Sequence, residues 1–151
     1  MIQLDRLSKR YGAQTAVDSL SFEVPAGQIV GFLGPNGAGK TTTLKMLTGM
    51  IEPSGGSAMV CGFDLRRDVV DVKRHVGFVP ESGAVFESLT GLEFLEMIGA
   101  LYGIPKAAAR ERIEQFIAFF VLSFETLTDK LLGAYSKGMR RKVVITATLL
   151  H

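Results

Sequence analysis

A single cysteine, Cys61, stands among the 151 residues. No internal disulfide framework is therefore possible, and the composition suits a reducing compartment. Long apolar runs are also missing. The most apolar stretch, residues 116–122, falls far short of the roughly 18–20 residues that a membrane helix needs. The amino end, Met-Ile-Gln-Leu-Asp-Arg, reads as a strand and lacks the charged-then-apolar plan of a secretory leader. Charge of one sign is scarce: 17 basic side chains face 15 acidic ones, for a net charge of +2. That imbalance is too weak to argue for a nucleic-acid partner, which needs a concentrated basic face. Internal repeats and low-complexity tracts are absent. If this chain works at a membrane, the expectation is a peripheral subunit.

What is present is the balance of a folded globular protein. Hydrophobic residues make up 47% and charged residues 21%, over a length that predicts one domain with a sizeable core. Ile2 and Leu4, and later Phe22 and Val24, alternate with polar residues, which predicts two half-buried strands near the start. Residues 28–33, Gln-Ile-Val-Gly-Phe-Leu, are almost wholly apolar and predict a strand covered on both faces, as inside a parallel sheet. A glycine-rich loop follows, then a helix from about Lys40 to Thr48, closed by Gly49. Residues 76–79 are a second candidate buried strand. The rest reads as helical. Thr90 and Glu93 have capping-box spacing and predict a helix reaching about Tyr102. Pro105 suits the first turn of the next helix, with Ile113, Phe116 and Phe120 inward. A last helix is expected after Ser136-Lys-Gly138, carrying Val143, Val144, Ala147 and Leu150. The order predicts an α/β core with a helical insertion.

The loop carries the clearest chemistry. Gly34-Pro-Asn-Gly-Ala-Gly39-Lys40-Thr41 fits the phosphate-binding pattern of glycine, four residues, then Gly-Lys-Ser/Thr. A polyphosphate is wrapped by successive backbone N–H groups only where the chain turns tightly and no side chain intrudes, and glycine meets both conditions. The helix that follows aims its free N–H groups and positive dipole end at the phosphates. Lys40 is expected to reach the β and γ phosphates, Thr41 to coordinate Mg²⁺, and Thr42 to add a phosphate contact. A plain glycine-rich turn is the alternative. The bare pattern arises by chance in roughly half a percent of chains this long, and here it also lies between an apolar run and a helix.

With its flanks, the loop resembles the P-loop of ABC transporter nucleotide-binding domains. Upstream, Leu7-Ser-Lys-Arg-Tyr-Gly12 is similar to the family segment whose aromatic residue, here Tyr11, stacks on adenine. Downstream, Tyr135-Ser-Lys-Gly-Met-Arg-Arg-Lys142 resembles the ABC signature, and Val76-Gly-Phe-Val-Pro-Glu81 falls where the family places its Q-loop. The resemblance covers essentially the whole chain. It implies an α/β P-loop NTPase of ABC type, with N-terminal antiparallel strands and a helical subdomain. Residues 1–80 would form the P-loop core, and residues 81–140 the Q-loop and the helical subdomain with the signature. ATP and Mg²⁺ would be held by Tyr11, Gly34, Asn36, Gly37, Ala38, Gly39, Lys40, Thr41 and Thr42, with Glu81 a second metal contact. Lys40 and Glu81 are the catalytic candidates. Ser136 and Gly138 would cap an ATP held by the opposite subunit of a head-to-tail dimer. The implied role is the ATP-binding subunit of a transporter, peripheral on the cytoplasmic face and coupled to a transmembrane permease, with no nucleic acid involved.

Three departures qualify that resemblance. Glu81 stands where many members carry glutamine. In the signature, Lys137 and Met139 replace the usual glycine and glutamine, while Ser136 and Gly138 are kept; such variants resemble the drug and antibiotic exporter branch. The family's Asp and Glu that follow the signature have no counterpart before His151, so the expectation is a chain truncated before the Asp-Glu strand, with negligible hydrolysis of its own. Two other readings stand beside the transporter subunit. One is a non-catalytic nucleotide-binding fragment or split-chain module. The other is a soluble ABC protein acting on nucleic acid or the ribosome, against which the lack of a second P-loop argues. Elsewhere the plainer readings are preferred: His75 facing solvent on a short helix, Cys61 a small core residue in a strand, Arg140, Arg141 and Lys142 a solvated helix face, and Phe116, Phe119, Phe120 and Phe124 mostly core.

Overall fold

The computed structural model describes residues 1–80 and 85–151. It forms two compact units, Met1–Val76 and Gly77–His151.

The first unit begins with a long antiparallel hairpin, β1 (Ile2–Tyr11) and β2 (Gln14–Val24). Its tight turn places Gly12 at φ 58, a left-handed conformation that costs glycine little. Then follow α1 (Lys40–Leu47), β3 (Gly55–Val60), the two-residue β4 (Phe63–Asp64) and α2 (Val69–His75). The strands form one antiparallel sheet in the order β2-β1-β3-β4. Ile2 pairs with Val24 on one side and Val60 on the other. Leu4, Leu7, Val17, Met46, Leu47, Val60, Leu65 and Val72 make the core, so the apolar face of the sheet buries the inner stripe of α1.

Bulges interrupt the hairpin between Leu4 and Leu7 and between Leu7 and Lys9. Arg6 and Ser19 there have φ of 47 and 46. Backbone donors displaced from the ladder find serine hydroxyls instead: Arg6 N–H donates to Ser21 Oγ at 2.8 Å, and Ser19 N–H to Ser8 Oγ at 2.9 Å.

The second unit is helical: α3 (Gly91–Leu101), α4 (Lys106–Phe120), α5 (Phe124–Asp129), a 3₁₀ turn at Leu132–Ala134 and α6 (Lys137–Leu149). Thr90 and Glu93 form the expected capping box, which satisfies two donors at once. Ser123 and Ser136 cap α5 and α6 through their hydroxyls. Leu95, Ile113, Leu127, Leu132, Val143 and Leu150 are fully buried at its centre.

Five expectations need correction. Residues 28–33 form no strand: Ile29 is 103% exposed and Leu33 91%, although the Phe32 ring lies 5.8 Å from that of Phe22. The physical reason is pairing. A strand persists through its ladder, and neither edge of the β2-β1-β3-β4 sheet takes up this segment. Residues 76–79 lack regular structure on the same account. Cys61 is exposed rather than in the core, because it lies in the turn between β3 and β4 at φ 54. The aromatic cluster divides: Phe116 packs on the core, whereas Phe119 and Phe124 are exposed where α4 ends and α5 begins. The basic trio is not simply a solvated face either. Arg140 pairs with Glu87 at 3.1 Å, and Lys142 donates to the Phe120 carbonyl at 2.8 Å.

Candidate functional site: a phosphate-binding loop

Residues 25–39 carry no helix or strand and lead into α1. Gly37 and Gly39 adopt φ of 84 and 82, conformations in which a larger residue would be strained. Space forbids a larger residue at Gly39 as well. A Cβ there would lie 2.4 Å from the Ala16 carbonyl oxygen and 2.9 Å from Val17 Cγ2. Gly39 is thus the point where the loop is pressed against β2, and its place as N-cap of α1 follows from that contact.

As N-cap, Gly39 supplies no side-chain hydrogen bond to the helix. No hydrogen bond among the described residues engages the N–H groups of Gly39, Lys40, Thr41 or Thr42. Four donors therefore point out of a helix start that already carries partial positive charge. The Lys40 ammonium folds over the loop and donates to the carbonyls of Gly34 and Pro35, each at 2.7 Å. An ammonium has three donors, so a third remains for an anion. Ala38 N–H closes the loop on the Pro35 carbonyl at 3.3 Å.

The threonines sort by position. Thr43 is buried and returns its hydroxyl to the Gly39 carbonyl at 3.0 Å, holding the first turn together. The hydroxyls of Thr41 and Thr42 bond to none of the described residues. Thr41 is exposed, and its hard oxygen suits Mg²⁺, which takes one or two protein oxygens and completes its shell from phosphates and water. Among the described residues no group of three His, Cys, Asp or Glu could hold a metal ion. The donor set suits a metal that arrives with its own phosphate oxygens.

Tyr11 ends β1 opposite Gln14 and is 51% exposed. Lys9 on the same strand pairs with Val17, the residue that touches Gly39. Residues two apart on a strand share a face, so Tyr11 projects from the face of the hairpin that meets the loop. Tyr11, Gly34, Asn36, Gly37, Ala38, Gly39, Lys40, Thr41 and Thr42 all belong to the first unit. Ser136 and Gly138 belong to the second, both exposed at the start of α6, where Ser136 Oγ accepts from Met139 N–H at 3.2 Å. Glu81 lies outside the described residues. His75 is exposed on α2, with Nδ1 2.8 Å from the Asp71 carbonyl and its ring on Phe63.

Two features escaped sequence reasoning. The bracing of the loop carbonyls by Lys40 depends on how the loop folds back. The contact of Gly39 with β2 joins segments far apart in sequence, and only the glycine that the motif requires at that position hints at it.

A glycine loop with unengaged amides, opening a helix and covered by a lysine, has the geometry expected of a phosphate-binding loop. Comparison with known proteins then gives the family. The ABC transporter family model matches residues 17–151. The chain is 43% identical over 149 residues to the daunorubicin/doxorubicin resistance ATP-binding protein DrrA of Streptomyces peucetius, covering 99% of this chain and 44% of that protein. It is 40% identical over 151 residues to the Nod factor export ATP-binding protein I of Ralstonia nicotianae, covering 46% of it. A solved ATP-binding subunit of an ABC transporter matches with a TM-score of 0.88 and 32% identity, over 99% of this chain and 61% of that one. A bacterial ABC transporter cassette solved as a dimer matches at 0.86 and 22% identity, over 69% of that chain. The chain belongs to the ABC transporter family and has its α/β P-loop NTPase fold. It spans about half the length of the curated bacterial relatives it matches. No helix among the described residues is long and apolar enough to cross a membrane.

Proposed function

We propose that this chain binds ATP with Mg²⁺ as part of the ATP-binding subunit of an export-type ABC transporter. The observation that carries the reading is the start of α1. Its amides are left unengaged by a glycine N-cap, and Lys40 covers them with one donor to spare. A triphosphate supplies the acceptors and the negative charge that this geometry lacks. Thr41 would hold Mg²⁺ on the phosphates, with Glu81 as a further oxygen ligand; the bound metal neutralises charge that builds on the phosphoryl oxygens. Tyr11, half-exposed on the hairpin face that meets the loop, would stack on the adenine. The similarity to export and resistance proteins supports an exporter as the setting, with a transmembrane permease as partner on the cytoplasmic face.

The second unit has its own part in this reading. Ser136 and Gly138 would contact the ATP of a second nucleotide-binding domain in a head-to-tail pair. The cap bond does not prevent this. A hydroxyl has one donor and two acceptor sites, so Ser136 Oγ accepts from Met139 N–H while its proton stays available for a phosphate oxygen. At Gly138 nothing lies within 4 Å of an added Cβ, which leaves the helix start open to approach.

Titration of the full-length protein with a fluorescent ATP analogue and Mg²⁺ tests the reading. Lys40→Ala is expected to weaken binding about ten- to hundred-fold, the range for a lost charge-assisted contact. Unchanged affinity in a folded variant would remove the P-loop assignment.

A further inference from the structure

We infer that Lys9 is a positioning residue for Tyr11, clamping its ring so that one face is presented to the base; this rests on the reading that Tyr11 and the loop hold one ATP. Lys9 Nζ lies over the Tyr11 ring, 5.2 Å from its centroid. The same ammonium donates to the Glu52 carbonyl at 2.6 Å. One cation therefore touches both the aromatic ring and the segment just beyond the P-loop helix. Its cross-strand partner Val17 packs on Gly39, at the other end of that helix.

The consequence follows from the freedom of the ring. Tyr11 is the last residue of β1, beside the turn glycine and 51% exposed, so few neighbours limit its rotamers. A cation held from both sides selects the rotamer whose face it covers. Preorganising the ring in this way removes an ordering cost that a base would otherwise meet on binding. The clamp also divides the two faces. Lys9 takes one, and the base is left the other, on a ring whose π density is drawn toward the cation. A purine offers that face more area than a pyrimidine does, so the clamp favours adenine over cytosine. Lys9 then acts on the base and not on the phosphates, which separates it from Lys40.

Calorimetric titration of the full-length protein with ATP, CTP and inorganic tripolyphosphate tests this assignment. In Lys9→Met, ATP affinity is expected to fall about two- to five-fold, the scale of one cation–π contact. Tripolyphosphate affinity should stay unchanged, and the preference for ATP over CTP should narrow. Lys9→Arg, which keeps a cation over the ring, should restore both. In a Tyr11→Leu background, Lys9→Met should have no further effect. Lys9→Gln keeps a donor for Glu52 without the charge, and it carries the same test should Lys9→Met fail to fold. Equal loss of ATP and tripolyphosphate would overturn the inference, since the lysine would then be acting as bulk positive charge. Persistence of the loss in the Tyr11→Leu background would overturn it too. Lys40→Ala is the control: if it weakens both ligands while Lys9 variants do nothing, the positioning role fails and the nucleotide reading stands; if it weakens neither, both fall.

Discussion

Three helix starts of the second unit and the start of α1 in the first are built in opposite ways. In the second unit, α3, α5 and α6 open on Thr90, Ser123 and Ser136, whose hydroxyls accept from their own first-turn amides. In the first, α1 opens on Gly39, which offers no side chain to do so. A hydroxyl cap is worth about 1 kcal/mol. α2 and α4 also start without a side-chain cap bond, but α1 is the helix whose loop is pinned by a close contact and covered by a lysine. The difference teaches that a glycine N-cap leaves the first-turn amides of α1 open, where an anion is proposed to bind, while hydroxyl caps close them at three helices of the second unit.

The largest test of that comparison is at Gly39. Gly39→Ala brings a Cβ against the Ala16 carbonyl at a φ of 82. The expected cost is about 1–3 kcal/mol, read by denaturant unfolding, together with loss of nucleotide binding. A variant as stable as the parent would show that the loop contact is dispensable.

Thr90→Ala comes next. It removes the hydroxyl of a capping box in which both reciprocal bonds are formed, and a loss of about 1 kcal/mol is expected. Nucleotide affinity at the P-loop should not change. A change would mean that the start of α3 is not the purely local device described.

Ser136→Ala loses a single cap bond, at 3.2 Å, so a cost of about 0.5–1 kcal/mol is expected. Here the two kinds of helix start meet in one residue. If Ser136 serves only as a cap, ATP-driven association of two copies, followed by light scattering, should survive the substitution; if it contacts nucleotide, association should weaken while the melt shifts little.

The smallest expected effect is a pH dependence in the second unit. The bond from Arg110 at 2.6 Å, with Lys106 adding to it, holds the Glu96 carboxyl below its ordinary value of 4.5. A depressed carboxyl stabilises the fold above pH 4.5, and that contribution is lost as pH falls through the lower folded value. Arg110→Ala should therefore cost a few tenths of a kcal/mol at neutral pH, since the pair is largely solvated, and the difference from the parent should vanish in acid. Melting curves at pH 7 and pH 3 measure it. Glu96 is not among the nucleotide contacts named above, so binding should not follow.

Much of this was legible in the chain itself. The glycine spacing of residues 34–39, the lysine and the threonines specify a phosphate loop by local stereochemistry, because turns and helix starts depend on neighbours in sequence. The capping box at Thr90 and the stop at Gly49, with its φ of 67, are local in the same sense. The family pattern extended that reading to Tyr11 and Ser136.

What the tertiary structure decided involves partners distant along the chain. Residues 28–33 have the composition of a buried strand, but composition cannot supply a ladder partner, and the segment is left exposed beside a sheet that pairs β1 with β2 and β3. Cys61 is out of the core because a turn between β3 and β4 needed a residue there. Lys9 reaches Glu52 across 43 positions, and Gly39 meets Ala16 across the fold; neither contact is written in a motif. Local sequence determines which backbone groups are left without partners. Only the assembled sheet determines which side chains arrive to meet them.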